Sequence, residues 1–324
     1  MTRGLRRNGW VLGLGALFVA LLLATKLIQP SFGASGLESL ARAALPFAFA
    51  TAGMAVVVIA GGIDLSIASM MAVTGVAAAV AMEATGGAAT VPVVLGILLL
   101  GAGLGAVNGA LIVLTRVPDI VVTLSMLFVW EGVALLILNA PGGFATPWLR
   151  ELILGGVTIP GLPEAWTAWL PKSVVVMALL VALVWLPLRR SRVGLSIYAV
   201  GSDPVAAFRS GVPIGPTRVA AYAVAGTFAA MGGLALTMST GIGEPIPGPY
   251  LLASVAAVVL GGVSLTGGRG GLLGPLVAVL ILRLVRLDLT LLSVDPNVTT
   301  IVEGTIMAVV VMLGGILAMR GRRA

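Results

Sequence analysis

The chain has 324 residues, of which 59% are hydrophobic and only 10% are charged, and its formal net charge is +7. Since a soluble domain carries about 25% charged residues, this composition excludes a soluble fold and indicates an integral membrane protein. The absence of cysteine and histidine excludes disulfides, thiol nucleophiles and histidine bases or metal ligands, so we expect no metal site. The arginines lie between apolar runs, so we expect the lipid bilayer, and not nucleic acid, as their neighbour.

Ten stretches of the sequence approach the length of a transmembrane helix, since about 20 apolar residues cross a bilayer core of about 30 Å. In chain order they are residues 10–28, 43–60, 65–82, 91–115, 120–139, 173–188, 219–241, 251–268, 271–287 and 297–319. The ninth is the least regular, because Arg283 and Arg286 interrupt it. The first is interpreted as an uncleaved helix, with a secretory signal peptide as the alternative. We therefore predict an all-α integral membrane protein of about ten transmembrane helices, in a single transmembrane domain over residues 1–324.

The distribution of basic residues predicts the orientation of the helices, because basic loops stay in the cytoplasm. With ten spans both termini lie on one side, and that side holds most of the 19 lysine and arginine residues. Both termini are therefore expected to be cytoplasmic. The connection over about 140–172 is rich in Gly, Pro and Trp and is expected in the periplasm. The connection over about 189–216 is polar and basic and is expected in the cytoplasm.

Two segments repeat one pattern, an apolar run followed by Gly-Gly, a hydrophobic residue, a small polar residue, Leu and a hydroxyl residue. They are residues 56–66 and 256–266, so their offset is 200. A Gly-Gly pair at the end of a span frees backbone groups, which is tolerated at membrane depth only against protein or a water-filled cavity. The pattern therefore predicts two broken helices that line a translocation pathway. The alternative is two ordinary helix ends that look alike by chance. The four glycines are Gly61, Gly62, Gly261 and Gly262.

Polar residues near or inside the spans are further candidates for the pathway. They are Asp64, Ser66, Asn108, Thr123, Ser125 and Ser264. Neutral polar side chains suit the passage of an uncharged, hydroxylated solute, and hydrogen bonding between helices is their alternative role. Asp64 has a second alternative, since it precedes a predicted helix and can cap it. The intramembrane carboxylates Glu131 and Glu303 are isolated, which disfavours a proton- or sodium-coupled relay.

The cytoplasmic connection contains a short predicted helix over residues 205–209. Ser202 or Asp203 can cap this helix, Pro204 fits its first position and Gly211 can close it. A short exposed helix with an aromatic side chain suits docking on another protein, and the alternative is a helix that lies on the membrane surface. The residues assigned to this docking helix are Ser202, Asp203, Pro204, Ala207, Phe208, Arg209 and Gly211.

Six motifs in this order resemble the membrane permeases of bacterial sugar ATP-binding-cassette (ABC) importers, of the ribose, xylose and galactofuranose type. The motifs occupy residues 60–66, 107–112, 118–124, 192–202, 209–212 and 259–271. The resemblance covers nearly the whole chain and implies a non-enzymatic permease subunit of the bacterial inner membrane that translocates a sugar or sugar-like solute. It implies a second permease subunit, in a homodimer or heterodimer, a cytoplasmic ATPase and a periplasmic solute-binding protein. The ATPase would hydrolyse ATP and receive the docking helix, and this chain would bind no cofactor.

Other functions stay open at the level of the sequence. An ABC permease for nucleosides or branched-chain amino acids is the nearest alternative, because more distant relatives of this family carry such solutes. A stand-alone secondary transporter is disfavoured by the few intramembrane carboxylates. A membrane-embedded enzyme would need clustered acid, base or nucleophile residues, and the sequence shows none. The sequence also lacks the G-x-x-x-x-G-K-[ST] loop of an ATPase.

Overall fold

The computed structural model describes residues 2–158, 160–161, 163–246 and 248–321, and within these ranges the chain forms fourteen helices and no strand. The helices are α1 (Thr2–Ile28), α2 (Ala34–Ile59), α3 (Ile67–Ala84), α4 (Thr90–Thr115), α5 (Asp119–Ile137), α6 (Pro147–Glu151), α7 (Glu164–Thr167), α8 (Lys172–Arg190), α9 (Arg192–Ser202), α10 (Pro204–Arg209), α11 (Ile214–Thr240), α12 (Tyr250–Leu260), α13 (Leu273–Leu291) and α14 (Pro296–Gly321).

Seven of the described helices are long and apolar enough to cross a membrane, namely α1, α2, α3, α4, α5, α8 and α11. The protein is therefore an all-α, multi-pass membrane protein, as the composition predicted. Helix α13 carries three charged residues, which explains why its apolar character is weaker than that of the others. The predicted span over 251–268 is wrong in its extent, because α12 ends at Leu260, where the Gly-Gly pair begins. At 11 residues, α12 has only about half the length that a bilayer core requires.

Helix α2 and helix α11 form the centre of the bundle. Within α2, all residues from Ala44 to Ile59 are buried, and α11 is buried along most of its length. A helix that is apolar on all sides belongs inside a protein or a membrane. The remaining spans surround this pair, and α1, α5 and α8 expose most of their surface.

Glycines allow α4 to approach α11 more closely than other side chains would permit. Gly101, Gly105 and Gly109 recur every four residues along one face of α4. A Cβ atom on Gly105 would overlap the backbone carbonyl of Tyr222, and one on Gly101 would overlap the carbonyl of Gly226. This is the small-residue packing typical of membrane helices, and its four-residue spacing is visible in the sequence.

The connection between α5 and α8 covers the ends of α3 and α11. Gly142 and Gly243 pair in an isolated antiparallel bridge, and the Phe144 N–H donates to the Ala79 carbonyl over 3.2 Å. The Arg150 side chain donates to the Met238 carbonyl over 3.1 Å. The connection between α5 and α8 therefore lies at the C-terminal end of α11. Helices α9 and α10 directly precede α11 and lie at its other end.

Candidate translocation and coupling site

Helices α2 and α12 end in the same way. A glycine with positive φ follows each end, Gly61 at +84° and Gly262 at +82°. The Gly62 N–H donates to the Val57 carbonyl over 3.0 Å. In α12 the equivalent bond is donated by the N–H of Val263, the residue after the glycine, to the Val258 carbonyl over 3.1 Å. Both ends are thus closed by a Schellman motif, in which glycine adopts the left-handed conformation without a steric penalty.

The structural repeat runs one residue out of register with the repeat read from the sequence. The sequence pattern aligns Gly61 with Gly261, but the structure makes Gly61 equivalent to Gly262. Gly61 and Gly262 are both exposed, whereas Gly62 and Gly261 are both buried. The position of the left-handed residue decides where each helix stops, and a Gly-Gly pair offers two choices for it. The first glycine serves in one copy and the second glycine in the other.

We call residues 60–66, between α2 and α3, the first break, and residues 261–272, between α12 and α13, the second break. A buried chain of hydrogen bonds links the first break to α4 and α5. The Asp64 Oδ1 accepts from the Ser66 N–H and the Ser66 hydroxyl, over 2.9 and 2.6 Å. The Asn108 side-chain N–H donates to Ser66 Oγ over 2.7 Å, and Trp130 Nε1 donates to Asn108 Oδ1 over 3.1 Å. Asp64, Ser66 and Asn108 are fully buried, and Asp64 Oδ2 has no hydrogen-bond partner in the described part of the chain. Three of the residues assigned to the pathway therefore form one cross-helix network.

A second polar cluster supports the same break from α5 and α11. The Tyr222 hydroxyl donates to Asp119 Oδ2 over 3.0 Å, and the Arg218 guanidinium lies 3.7 Å from Asp119 Oδ1. The hydroxyl of Thr123 accepts from the Leu65 N–H over 3.1 Å. Sequence reasoning placed Thr123 here but missed Asp119, Arg218 and Tyr222. A signal for Asp119 existed, because it is the only acidic residue in the short connection between the fourth and fifth predicted spans.

The remaining pathway candidates lie apart from these two clusters. The Ser125 side chain is exposed on α5, and its hydroxyl donates to the Val121 carbonyl of its own helix over 3.0 Å. Ser264 lies in the second break, half-buried, with its hydroxyl 2.8 Å from that of Thr266. The candidates thus form one group at the first break, a second at the second break, and one separate residue. Contact of any of them with a solute stays a prediction.

Four glycines bring the two breaks and the connection between α8 and α11 into direct contact. We call Gly61, Gly201, Gly267 and Gly268 the glycine junction. The Gly268 N–H donates to the Ile59 carbonyl at the end of α2, over 2.9 Å. A Cβ atom on Gly201, at the end of α9, would overlap that same carbonyl, and one on Gly267 would lie 2.9 Å from the Gly61 Cα. A side chain at Gly201, Gly267 or Gly268 would overlap neighbouring atoms, so α9 cannot move far without displacing both breaks.

The short helix predicted in the connection between α8 and α11 is present where the sequence placed it. Helix α10 begins at Pro204, and the Asp203 carboxylate caps it by accepting from Val205 N and Ala206 N over 2.8 and 3.0 Å. Gly211 ends it with a φ of +80°. Phe208 is 70% exposed, so the aromatic side chain is free to contact another molecule.

Helix α9 was not predicted, because its sequence was interpreted as a polar loop. Ser191 caps it by accepting from the Gly194 N–H over 3.1 Å. The Tyr198 hydroxyl donates to the Gly270 carbonyl over 2.8 Å, and the ring of Tyr198 packs against that of Trp185 in α8. These contacts fix α9 to the second break and to α8, so α9 and α10 form a structured element on this face of the bundle.

Comparison with known proteins identifies the family. Residues 36–311 match the family described as "Branched-chain amino acid transport system / permease component". The chain is 30% identical to the autoinducer 2 import system permease protein LsrD of Escherichia coli (strain K12), over 94% of this chain and 92% of that protein. The LsrD protein of Shigella flexneri has the same identity and coverage, and that of Escherichia coli O157:H7 is 29% identical. No solved structure matches the chain. Because the family match spans most of its length, the chain belongs to this permease family and is a membrane-spanning permease subunit of an ABC importer.

Proposed function

We propose that this permease subunit translocates a sugar or sugar-like solute across the bacterial cell membrane. The observation that carries the proposal is the 30% identity to LsrD, whose name describes the import of autoinducer 2, over 94% of the chain. The neutral polar residues of the spans agree with an uncharged, hydroxylated solute. The family description names branched-chain amino acids, so a permease for these or for nucleosides is the competing proposal.

The subunit works in a complex with other proteins. Two permease subunits, identical or different, form the membrane part, two cytoplasmic ATPases energise it and a periplasmic binding protein delivers the solute. ATP is hydrolysed by the ATPases, and this chain binds no cofactor and catalyses no reaction. Its ten spans, of which α12 is a half-length helix continued by the second break, place both termini in the cytoplasm. The whole chain, 1–324, is one permease domain, with 140–172 outside and 189–216 inside.

Coupling to the ATPase runs through α10, α9 and the glycine junction. Phe208 inserts into a groove of the ATPase, and ATP binding moves α10 together with α9. Gly201 at the end of α9 touches the end of α2 and the second break, so this movement reaches both breaks at once. The breaks, with Asp64, Ser66, Asn108 and Thr123 at the first and Ser264 at the second, then change the shape of the pathway. The close backbone contacts of the junction support this route.

Uptake by the reconstituted complex tests the proposed substrate class. The permease, its ATPase and its binding protein are placed in proteoliposomes that contain ATP, and radiolabelled pentoses, hexoses, branched-chain amino acids and nucleosides are offered separately. We expect ATP-dependent accumulation of at least one sugar and none of the amino acids or nucleosides. Accumulation of only an amino acid or a nucleoside would replace the proposal by its competitor.

A further inference from the structure

Two equivalent backbone carbonyls, one at the end of α2 and one at the end of α12, need donors from another part of the chain. They belong to Ile59 and Leu260, the last residues of these helices, and each lies two positions before the left-handed glycine. The last four carbonyls of a helix have no partner within it. The bonds of the Schellman motifs satisfy the carbonyls just before these two, so Ile59 and Leu260 depend on donors from outside the helix end.

The two carbonyls have different donors. The Ile59 carbonyl accepts from the Gly268 N–H over 2.9 Å, which is one of the contacts of the glycine junction. The Leu260 carbonyl accepts from a side chain instead, since Trp10 Nε1 of α1 donates to it over 2.8 Å. The indole ring of Trp10 also packs against Gly262, where an added Cβ atom would lie 2.8 Å from the Trp10 Cδ1. Trp10 therefore contacts both the last residue of α12 and the left-handed glycine of the second break.

Helix α1 makes this contact although it is a peripheral helix. Most of its surface is exposed, and the family match begins at residue 36, after α1 has ended. A second side-chain hydrogen bond fixes the other end of α1, where the buried Thr25 hydroxyl donates to Asp288 Oδ1 of α13 over 2.7 Å. Trp10 and Thr25 are separated by about 22 Å along the helix. The two bonds therefore hold α1 at opposite ends, and only the one made by Trp10 reaches the second break.

We propose that Trp10 is a positioning residue for transport, which acts through Leu260 and Gly262 by fixing the end of α12 at the second break. The inference rests on the proposed function, in which movement of α9 reaches both breaks through the glycine junction. That movement enters the second break at Gly267 and Gly268. Because Trp10 holds the end of α12 against α1, the movement rearranges the break and does not displace α12. Without the indole N–H, the Leu260 carbonyl loses the donor that fixes it, and the end of α12 moves with the break.

The indole makes two contributions that substitution can separate, namely the N–H donor and the ring that packs against Gly262. Trp10→Phe keeps an aromatic ring and removes the donor. Trp10→His keeps a donor, because Nε2 of an imidazole occupies the same place in its five-membered ring as Nε1 in that of an indole, and both can carry a proton. If the hydrogen bond to the Leu260 carbonyl positions α12, Trp10→His should retain more function than Trp10→Phe.

Hydrogen–deuterium exchange in the solubilised complex, without nucleotide or solute, tests the contact itself. Trp10→Phe should raise the exchange rate of the backbone amides in residues 261–272 at least fivefold. Trp10→His should keep that rate within twofold of the rate in the unmodified complex. The matched control is Trp169→Phe, which should also stay within twofold. Trp169 is 56% exposed and Trp10 is 55% exposed, but the Trp169 indole N–H makes no hydrogen bond in the described part of the chain.

A coupling measurement separates a positioning role from a merely structural one. The reconstituted complex is given the radiolabelled compound that the unmodified complex accumulates in the uptake panel, and its uptake is divided by the ATP hydrolysed. Trp10→Phe should lower uptake per ATP at least fivefold, while Trp10→His and Trp169→Phe keep it within twofold. Thr25→Val removes the buried hydrogen bond at the other end of α1. It should therefore lower the melting temperature of the complex and leave uptake per ATP within twofold.

An unchanged exchange rate or an unchanged uptake per ATP in Trp10→Phe would overturn the positioning role. Equal losses in Trp10→Phe and Trp10→His would also overturn it, as would an equal loss in Thr25→Val, which would assign the effect to the packing of α1. If Trp10→Phe does not assemble, Trp10→Leu, which keeps the span apolar, takes its place with the same expected losses. If the unmodified complex carries only an amino acid or a nucleoside, the proposed function fails. The same variants, measured on that compound and by exchange without any compound, still decide the role of Trp10.

Discussion

At the scale of single residues, Gly201 is a position where the fold tolerates little change. It lies at the end of α9, and even one methyl group there would overlap the Ile59 carbonyl and approach the Gly268 nitrogen. Both neighbours are backbone atoms, so neither can rotate away as a side chain would. The two breaks and α9 therefore depend on one missing Cβ atom for their contact.

Gly201→Ala is expected to uncouple transport. The added methyl group should push the backbones of the glycine junction apart and lower the free energy of unfolding by about 1–3 kcal/mol, as overpacking does elsewhere. It should also lower ATP-driven uptake at least tenfold. The complex should still insert and still bind its ATPase, because α10 is unchanged. The control is Gly103→Ala in α4, where an added Cβ atom meets nothing within 4 Å. Normal uptake by Gly201→Ala would contradict transmission through the junction.

A second residue-scale prediction distinguishes the two glycines of the first break. Gly61 has a φ of +84°, and a Cβ atom there would meet only the Gly201 backbone, at an ordinary contact distance of 3.5 Å, whereas a Cβ atom on Gly62 would overlap the Asp119 carboxylate and lie 2.8 Å from the Tyr222 hydroxyl. Asn tolerates the left-handed conformation better than other non-glycine residues. Gly61→Asn should thus keep the thermal stability of the solubilised complex. Gly61→Val should lower the free energy of unfolding by about 1–2 kcal/mol, because valine disfavours the left-handed conformation.

Gly62→Val completes this comparison, since it should be destabilising for a different reason, namely displacement of the Asp119 and Tyr222 side chains. Insertion into the membrane should be unaffected, because the span remains apolar. Melting temperatures measured by size-exclusion chromatography after heating provide the comparison. If Gly61→Asn proved as harmful as Gly62→Val, the structural register of the break would be wrong.

At the scale of elements, α10 carries the prediction about docking. Its cap and its terminal glycine make it a preformed turn of helix, and Phe208 projects from it with 70% exposure. Phe208→Ala should weaken ATPase binding by about 2 kcal/mol, which is about 30-fold, because buried aromatic side chains dominate interfaces. Pull-down of the ATPase from membranes measures this loss. Trp166→Ala removes an equally exposed aromatic residue from the opposite connection, and it should leave the pull-down unchanged.

The elements also show what could be predicted from sequence. Hydropathy located the long helices because a bilayer requires about 20 apolar residues, and the capping residues located α10. Hydropathy could not show that α12 stops at Leu260, since the residues beyond it carry no charge up to Gly268. It could not show that Arg283 in α13 faces Phe47 and Tyr250, because that contact joins α12 and α13 to α2, which is distant in sequence. The same reason hid the Asp119, Arg218 and Tyr222 cluster.

At the scale of the whole molecule, the topology can be tested directly because the chain contains no cysteine. Single cysteines introduced at Trp166 and at Val205 lie in connections that one span, α8, separates. A membrane-impermeant maleimide should label Trp166→Cys in intact spheroplasts and Val205→Cys only after permeabilisation. Cysteines at Thr2 and Ala324 should also react only after permeabilisation. Labelling of either terminus in intact spheroplasts would refute the arrangement with ten spans.

The energy source of transport, ATP or a proton gradient, is also a property of the whole molecule. A carrier driven by protons needs carboxylates that can exchange protons along a path. Asp119 forms an ion pair with Arg218, and Glu303 forms one with Arg286, so each of these carboxylates already has a basic partner. Uptake into vesicles that contain an ATP-regenerating system should therefore persist when a protonophore collapses the proton gradient. Replacing ATP by a non-hydrolysable analogue should abolish it. The reverse pattern, in which the protonophore stops uptake and the analogue does not, would show that the chain works as a proton-coupled carrier.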